Sequence, residues 1–248
     1  MTHSEIAFVF LLIAIVYAAA GFGGGSSYLA VLALAGTAPA VMRPTALLCN
    51  IVVVIGNLLV FYRSGQLPWR KGLLLVVAGM PFAFLGGYWK LSEHAFFILL
   101  GAALVLAAGA MVLQDWLKPI KGDSIRPLAP AGNIALGGSL GLLAGLTGIG
   151  GGIFLAPILY LLRWDQPKAI SATASLFIFT QSFAGLAGQF SRQGAPGWTW
   201  LLPLLLAVAL GGQIGVRWSV RVVSQSAIRY LTAALILYAG LNILWKHL

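Results

Sequence analysis

Two apolar stretches of this chain are each interrupted by a glycine cluster, Gly21-Phe22-Gly23-Gly24-Gly25 and Gly148-Ile149-Gly150-Gly151-Gly152. Glycine at that density breaks a helix. Inside a lipid bilayer a break strands backbone N–H and C=O groups, which is tolerated only where protein or a water-filled cavity surrounds them. Matched breaks in two halves of a membrane chain point to a transporter binding site.

The rest of the chain supports a membrane setting. Of its 248 residues 60% are hydrophobic and 8% charged, with mean hydropathy +0.96, where a soluble domain carries roughly 25% charged residues. The length allows about eight spans of roughly 20 residues. The longest polar stretch, 118–130, is the size of a linker, so no soluble domain fits. The net charge of +10 comes from basic residues scattered through short loops. That is the positive-inside pattern and not a nucleic-acid surface. The single cysteine, Cys49, excludes an intrachain disulfide and a CxxC metal site. Residues 1–5 lack a basic n-region and read as the entry to a first membrane segment.

Apolar runs cover residues 6–42 (broken by glycines), 45–61, 72–89 and 95–116. The series then repeats as 133–162 (again broken), 172–190, 198–216 and 227–245. Pro39 precedes Thr45-Ala46 at the spacing by which Pro167 precedes Thr173-Ala174. Gly65 and Trp69 match Gly194 and Trp198. An ordered set of matches indicates a duplicated scaffold. The expected organisation is a first transmembrane repeat at 1–117, a cytoplasmic linker at 118–131 and a second repeat at 132–248.

Loop charges select a topology. If each broken run crosses once, the Lys and Arg divide almost evenly between the two sides. If each broken run enters and returns as a hairpin, one side keeps Arg43, Lys90, Arg192 and Lys246, and the other collects all the rest of the 15. Only the hairpin gives the asymmetry expected of loop charges. The predicted fold is therefore an all-α polytopic membrane protein of two inverted repeats. Each repeat is a Gly-tipped broken-helix hairpin plus three transmembrane helices, with both termini outside. The arm after the second break, about ten residues, is about 15 Å of helix, which places the tips near the bilayer midplane.

Helix restarts after the clusters, at Ser26-Ser27-Tyr28 and Ile153-Phe154, expose unpaired N–H groups and a partial positive charge. Gly23, Gly24, Gly25, Gly150, Gly151 and Gly152 let an anion approach that backbone. Ser26 and Ser27 are placed to cap the restart or to donate to the anion. Packing alone is the other use of glycine, and Gly137, Gly141 and Gly145, spaced by four, fit it. Thr45, Thr173, Ser171 and Ser175 put hydroxyls near a second pair of helix starts, for capping, for bonds back along the helix or for substrate. Asn50 and Asn57 share a helix face. Gln181 and Ser182 lie on the matching helix, available for interhelical bonds or substrate. Arg43 falls on the outer side, either to handle an anion at the mouth or to snorkel.

All five acids, Glu5, Glu93, Asp115, Asp123 and Asp165, fall at segment ends or in loops, and His3, His94 and His247 are terminal or in a loop. A proton relay or a divalent-metal cage would draw on such groups inside the membrane. The pattern therefore favours a small anion over a cation, with no metal and no cofactor. The G-x-S-x-G match at Gly137–Gly141 lacks the strand–turn–helix setting of a nucleophile elbow, and no enzyme is expected.

The cluster Gly21-Phe22-Gly23-Gly24-Gly25 and the longer Gly148-Ile149-Gly150-Gly151-Gly152-Ile153-Phe154-Leu155-Ala156-Pro157 resemble the paired G-x-G-G-G signatures of the TauE/SafE sulfite exporter family. Lys168-Ala169-Ile170-Ser171-Ala172-Thr173-Ala174-Ser175-Leu176 is similar to that family's basic-Ala-x-x-x-Thr-Ser-Leu segment, with Ala174 inserted. The first half departs, with Ala30 opposite Pro157 and Arg43-Pro44-Thr45-Ala46 lacking the Thr-Ser pair. The resemblance implies transport of a small sulfur-containing anion such as sulfite or an organosulfonate across a bacterial inner membrane. An inside-negative potential favours anion exit, so export is the expected direction. A channel, or an importer coupled to sodium or protons, is the alternative, and a scaffold whose glycines only pack helices is a third. Expected partners are the anion, membrane lipid and, as an option, a second copy in a homodimer.

Overall fold

The computed structural model describes residues 3–116, 125–126, 128–193, 198–218 and 225–248. Most of the expected linker lies outside the described residues, as do Gly194, Lys118, Lys121, Asp123 and Arg221. Among the described residues there are ten helices and no strand: α1 His3–Ala19, α2 Gly25–Leu34, α3 Pro39–Arg63, α4 Trp69–Tyr88, α5 Glu93–Trp116, α6 Pro130–Thr147, α7 Gly152–Leu161, α8 Pro167–Gln193, α9 Trp198–Trp218 and α10 Gln225–His247. Within these, Pro39–Arg63, Trp69–Tyr88, Glu93–Leu113, Pro167–Arg192 and Trp200–Arg217 are long and apolar enough to cross a membrane.

Polarity is inverted relative to a soluble protein. Leu73, Val77 and Leu85 on α4, and Leu202, Leu206 and Leu210 on α9, are exposed along one face of each helix. Asn50, Gln181, Ser182 and Gln189 are fully buried. Such a surface suits hydrocarbon, with the polar side chains turned into the bundle interior.

Proline sets several starts. α3, α6 and α8 each begin on one (Pro39, Pro130, Pro167), where the missing N–H is no loss. Pro44, Pro81, Pro157 and Pro203 sit inside helices, where packing in a membrane bundle accommodates them. Arg43 and Pro44 fall in the gap between the apolar runs that end at 42 and begin at 45. The helix instead begins at Pro39 and runs through both, so Thr45 lies in its second turn.

The glycine clusters are reversals. Ring centroids of Phe10 and Tyr28 lie 4.6 Å apart, whereas a continuous helix would separate these residues by about 27 Å. Gly151 sits against Leu140 and Ala144 of α6 in the same manner. The returning arms, α2 and α7, have 10 residues each, matching the expected half-bilayer length. The entering arms are longer, 17 residues in α1 and 18 in α6, so each hairpin is lopsided.

Packing pairs exchange between the halves. α1 lies on α9 as α6 lies on α4, α2 on α10 as α7 on α5, and α2 on α3 as α7 on α8, while α3 meets α8 and α5 meets α10. Small residues make these approaches close. A β-carbon on Gly137, Gly141 or Gly145 would strike the α4 backbone at Leu75, Gly79 or Ala83, and on Gly211 or Gly215 it would strike α1 at Leu11 or Ile15. The packing role expected of Gly137, Gly141 and Gly145 is the observed one. Ser139, inside the G-x-S-x-G match, is mid-helix and donates to the Leu136 carbonyl.

One contact orients the halves. Lys71 Nζ, at the start of α4, lies 2.8 Å from Asp165 Oδ2, just before α8. α4 begins where α3 ends, so α8 begins at the end of the molecule where α3 finishes. α3 and α8 therefore run antiparallel. The Arg126 N–H bonds the Arg163 carbonyl at that same end.

Candidate functional site

Each hairpin tip is built by glycine backbone. Gly21 closes α1: its own N–H bonds the Ala18 carbonyl and that of Phe22 bonds Tyr17, with φ +82°. This is the left-handed closure that glycine supplies without strain. Gly24 and Gly151 are the N-caps of α2 and α7, with φ +88° and +75°, and neither helix has a side-chain cap.

The two tips meet where α3 crosses α8. Asn50 lies near the middle of the 25-residue α3 and Ile178 near the middle of the 27-residue α8; the register that pairs Pro39 with Pro167 also pairs these two. Asn50 packs on Gly23, Gly25 and Gly150. Ile178 packs on Gly23, Gly150 and Gly152. A β-carbon on Gly25 would lie 2.5 Å from the Ile149 carbonyl oxygen, so the start of α2 touches the other hairpin's tip.

Side chains hold the carbonyls of the tips. Asn50 Nδ2 donates to Ile149 O at 3.0 Å, Asn57 Nδ2 to Phe22 O at 3.2 Å, and Ser175 Oγ to Gly21 O. The Ile149 N–H donates to Thr147 Oγ1 at 3.2 Å. The carbonyls of Gly21, Phe22 and Ile149 are thus occupied, and two helix starts without a side-chain cap meet at the crossing; at α7 the Gly152 and Phe154 N–H groups close onto the Gly150 and Gly151 carbonyls, which leaves Ile153 N–H in its first turn. Each helix start carries roughly half a positive charge, and two together suit an anion.

The other predicted residues divide. Ser26 and Ser27 are buried but bond Tyr17 Oη at 3.2 and 2.9 Å and cap nothing. Thr173 bonds back to Ala169 O at 2.9 Å and packs on Gly72. Gln181 Nε2 donates to Val76 O of α4 at 2.9 Å, away from the tips. Thr45 Oγ1 is buried without a partner among the described residues. Arg43 is buried rather than at a surface mouth. It is 4% exposed, and its Nη2 donates to Gly145 O at 2.8 Å and Gly86 O at 3.0 Å.

Of the pair Gln181 and Ser182 on α8, Ser182 is the one beside the tips. Its Oγ is fully buried, unpartnered among the described residues, and 3.1 Å from where Gly150 would carry a β-carbon. It lies one helical turn beyond Ile178, on the face that meets Asn50. Ser171 lines a cavity of about 500 Å³ that also touches Gly21, Asn57, Phe61, Gln66 and Lys168. It opens between the end of α3 and the start of α8, so one end of the molecule is open as far as the first tip.

Comparison with known proteins adds a family. The family described as "Sulfite exporter TauE/SafE" matches residues 6–243. The chain is 34% identical over 247 residues to "Probable membrane transporter protein y4hK" of Sinorhizobium fredii (strain NBRC 101917 / NGR234), covering 97% of each. It is 25% identical over 216 residues to "Probable membrane transporter protein YunE" of Bacillus subtilis (strain 168), covering 80% of this chain and 79% of the relative. No solved structure matches it.

Proposed function

Since this chain belongs to the TauE/SafE sulfite exporter family and is a multi-pass membrane transporter of that type, we propose that its cargo is a small sulfur oxyanion or organosulfonate. The carrying observation is the meeting of two uncapped helix starts, α2 and α7, at the α3–α8 crossing. The anion would sit there, held by first-turn N–H groups and by Ser182 Oγ, with Asn50 fastening one tip to the other. The antiparallel run of α3 and α8, together with the exchange of packing pairs, supports inverted repeats that rock about this crossing. A bacterial inner membrane suits this reading, and its potential, about 2.3 kcal/mol per charge per 100 mV, makes export the favoured direction. The acids fall at segment ends, so export without a coupling ion suits the chain.

Transport by the purified chain in proteoliposomes tests this, using sulfite, thiosulfate, sulfate, taurine and sulfoacetate with and without a sodium gradient. Saturable movement of at least one sulfur anion, driven by potential and indifferent to sodium, is expected. Sodium-dependent accumulation would replace export with coupled uptake. If none of the five moves, the cargo assignment fails.

A further inference from the structure

The two ends of the molecule differ at equivalent positions. At the open end, Ser171 and Phe61 line the cavity and pack on Gly21. The Pro39–Pro167 register makes Arg43 and Gln189 their counterparts at the other end. There Arg43 packs on Gly148, the counterpart of Gly21, with its Cα 3.1 Å from where a β-carbon would stand. Asn57, Val60 and Val216 line the open cavity. Their counterparts are Gly185, Gly188 and Gly87, which bring α4 and α8 into backbone contact: Gly87 against Gly185, and Gly188 against Phe84. That end is shut.

Arg43 stands across the closure. Its Nη2 bridges Gly145 O of α6 (2.8 Å) and Gly86 O of α4 (3.0 Å), with Gly87 O at 3.5 Å. Its guanidinium carbon is 5.9 Å from the centre of the Phe96 ring. These partners are carbonyls near the C-terminal ends of two helices, whose dipoles favour a cation. They do not supply a full counter-charge. Arg43 Nε and both amide atoms of Gln189, which is 0% exposed, have no partner among the described residues. Buried polar atoms in that condition are rare and costly. A second state in which this end takes in water or an anion accounts for them. Arg192 lies one turn beyond Gln189 on α8, so this end carries two cations on facing helices.

We propose that Arg43 is the latch of a second access path and the group that receives the anion when that path opens. In the state described here Nη2 ties α3 to α4 and α6. A sulfite-like oxyanion, two of whose oxygens accept from the planar guanidinium fork, takes those donors from the carbonyls, and the shut end parts. This rests on the alternating-access reading above.

The test uses the full chain with Cys49→Ser, carrying either Gln189→Cys (shut end) or Ser171→Cys (open end). Membrane-impermeant maleimide labelling is followed in proteoliposomes with and without sulfite. With Arg43 intact, Ser171→Cys labels fast and Gln189→Cys slowly, and sulfite speeds the latter. Arg43→Gln should speed labelling at 189 about tenfold or more, the scale of one lost charge-assisted bond, slow it at 171, and abolish the sulfite effect. Arg43→Lys, which keeps charge but loses the fork, should fall between. Unchanged labelling at 189 in Arg43→Gln overturns the latch. So does a rise at both sites together, which marks a loosened fold. If the wild type moves no sulfur anion in the same vesicles, the cargo reading fails while reciprocal labelling still decides the latch.

Discussion

Replacing Gly25 with alanine separates a binding tip from a packing glycine. Gly25 does not have a positive φ, so by backbone preference alone alanine should stabilise α2 by about 0.5–1 kcal/mol. Its surroundings oppose that. The new methyl would lie 2.5 Å from Ile149 O and collide with the Asn50 amide, which donates to that same oxygen at 3.0 Å. Asn50 must swing away or the tips must separate. The lost hydrogen bond costs about 0.5–1.5 kcal/mol and overpacking about 1–3 kcal/mol. Set against the helix gain, the net is a destabilisation of about 0.5–4 kcal/mol, centred on about 2 kcal/mol, or a fall of roughly 4–8 °C in Tm at that centre for a chain of this size. Gly109→Ala is the control. Nothing lies within 4 Å of its added carbon, so it should be neutral or slightly stabilising. Both variants are heated in detergent, the surviving folded fraction is measured by size exclusion, and transport is assayed on folded protein only. Gly25→Ala should lose more than about tenfold in rate even when folded, since a shift of about 1.4 kcal/mol is tenfold. If Gly25→Ala matches Gly109→Ala in stability and carries anion at the wild-type rate, the tips do not act together and the site is elsewhere.

Asn50→Asp removes the donor to Ile149 O and sets a negative charge between both tips. KM for sulfite should rise on the order of tenfold or more, and an unchanged KM would place the anion away from the crossing. Ser182→Ala removes a hydroxyl that bonds nothing among the described residues, so thermal stability should hold or rise slightly while sulfite affinity falls; a stability loss without an affinity change would make Ser182 a packing residue. Arg163 has φ +53° in the turn that ends α7, where the first half carries Gly36 at φ +72°. Arg163→Gly should therefore stabilise by about 1 kcal/mol, read as a rise in Tm with transport intact.

Periodic and steric signals carried the architecture. The start residues Pro39 and Pro167, and Trp69 and Trp198, open matching helices, because a helix start is set by local preferences, as with proline at the first position. The expected restarts at Ser26 and Ile153 lie within one residue of the observed starts at Gly25 and Gly152, because a glycine run ends a helix whatever its neighbours are. Partners were less legible. Nothing local tells that Asn50 reaches Ile149 of the other half, or that Ser26 and Ser27 turn to Tyr17 instead of the tip. Arg43 looked like a surface cation because a buried one normally advertises a carboxylate. Here its partners are backbone carbonyls, which have no sequence signature.

Where the two halves differ is informative. They supply matching helices around one crossing, yet equivalent positions hold Asn50 and Ile178, Arg43 and Ser171, Ser182 and Val54. A symmetric cradle lined this way cannot present the same chemistry to both ends of an anion. Asn50 and Ser182 bring hydrogen-bonding groups to Gly150, where Ile178 also packs, and Ile178 extends that apolar contact to Gly152, which meets no polar side chain among its nearest neighbours. A cargo with a charged oxyanion end and an apolar remainder matches that lining better than a fully symmetric oxyanion does. Sulfoacetate carries a carboxylate in place of the apolar remainder. In direct competition for the wild-type carrier, a simple alkanesulfonate should therefore outcompete both sulfate and sulfoacetate, and Ile178→Asn, which restores symmetry, should erode its advantage over sulfate. If sulfate competes as well as the alkanesulfonate in the wild type, Ile178 is filler and the anion reads only the two helix starts.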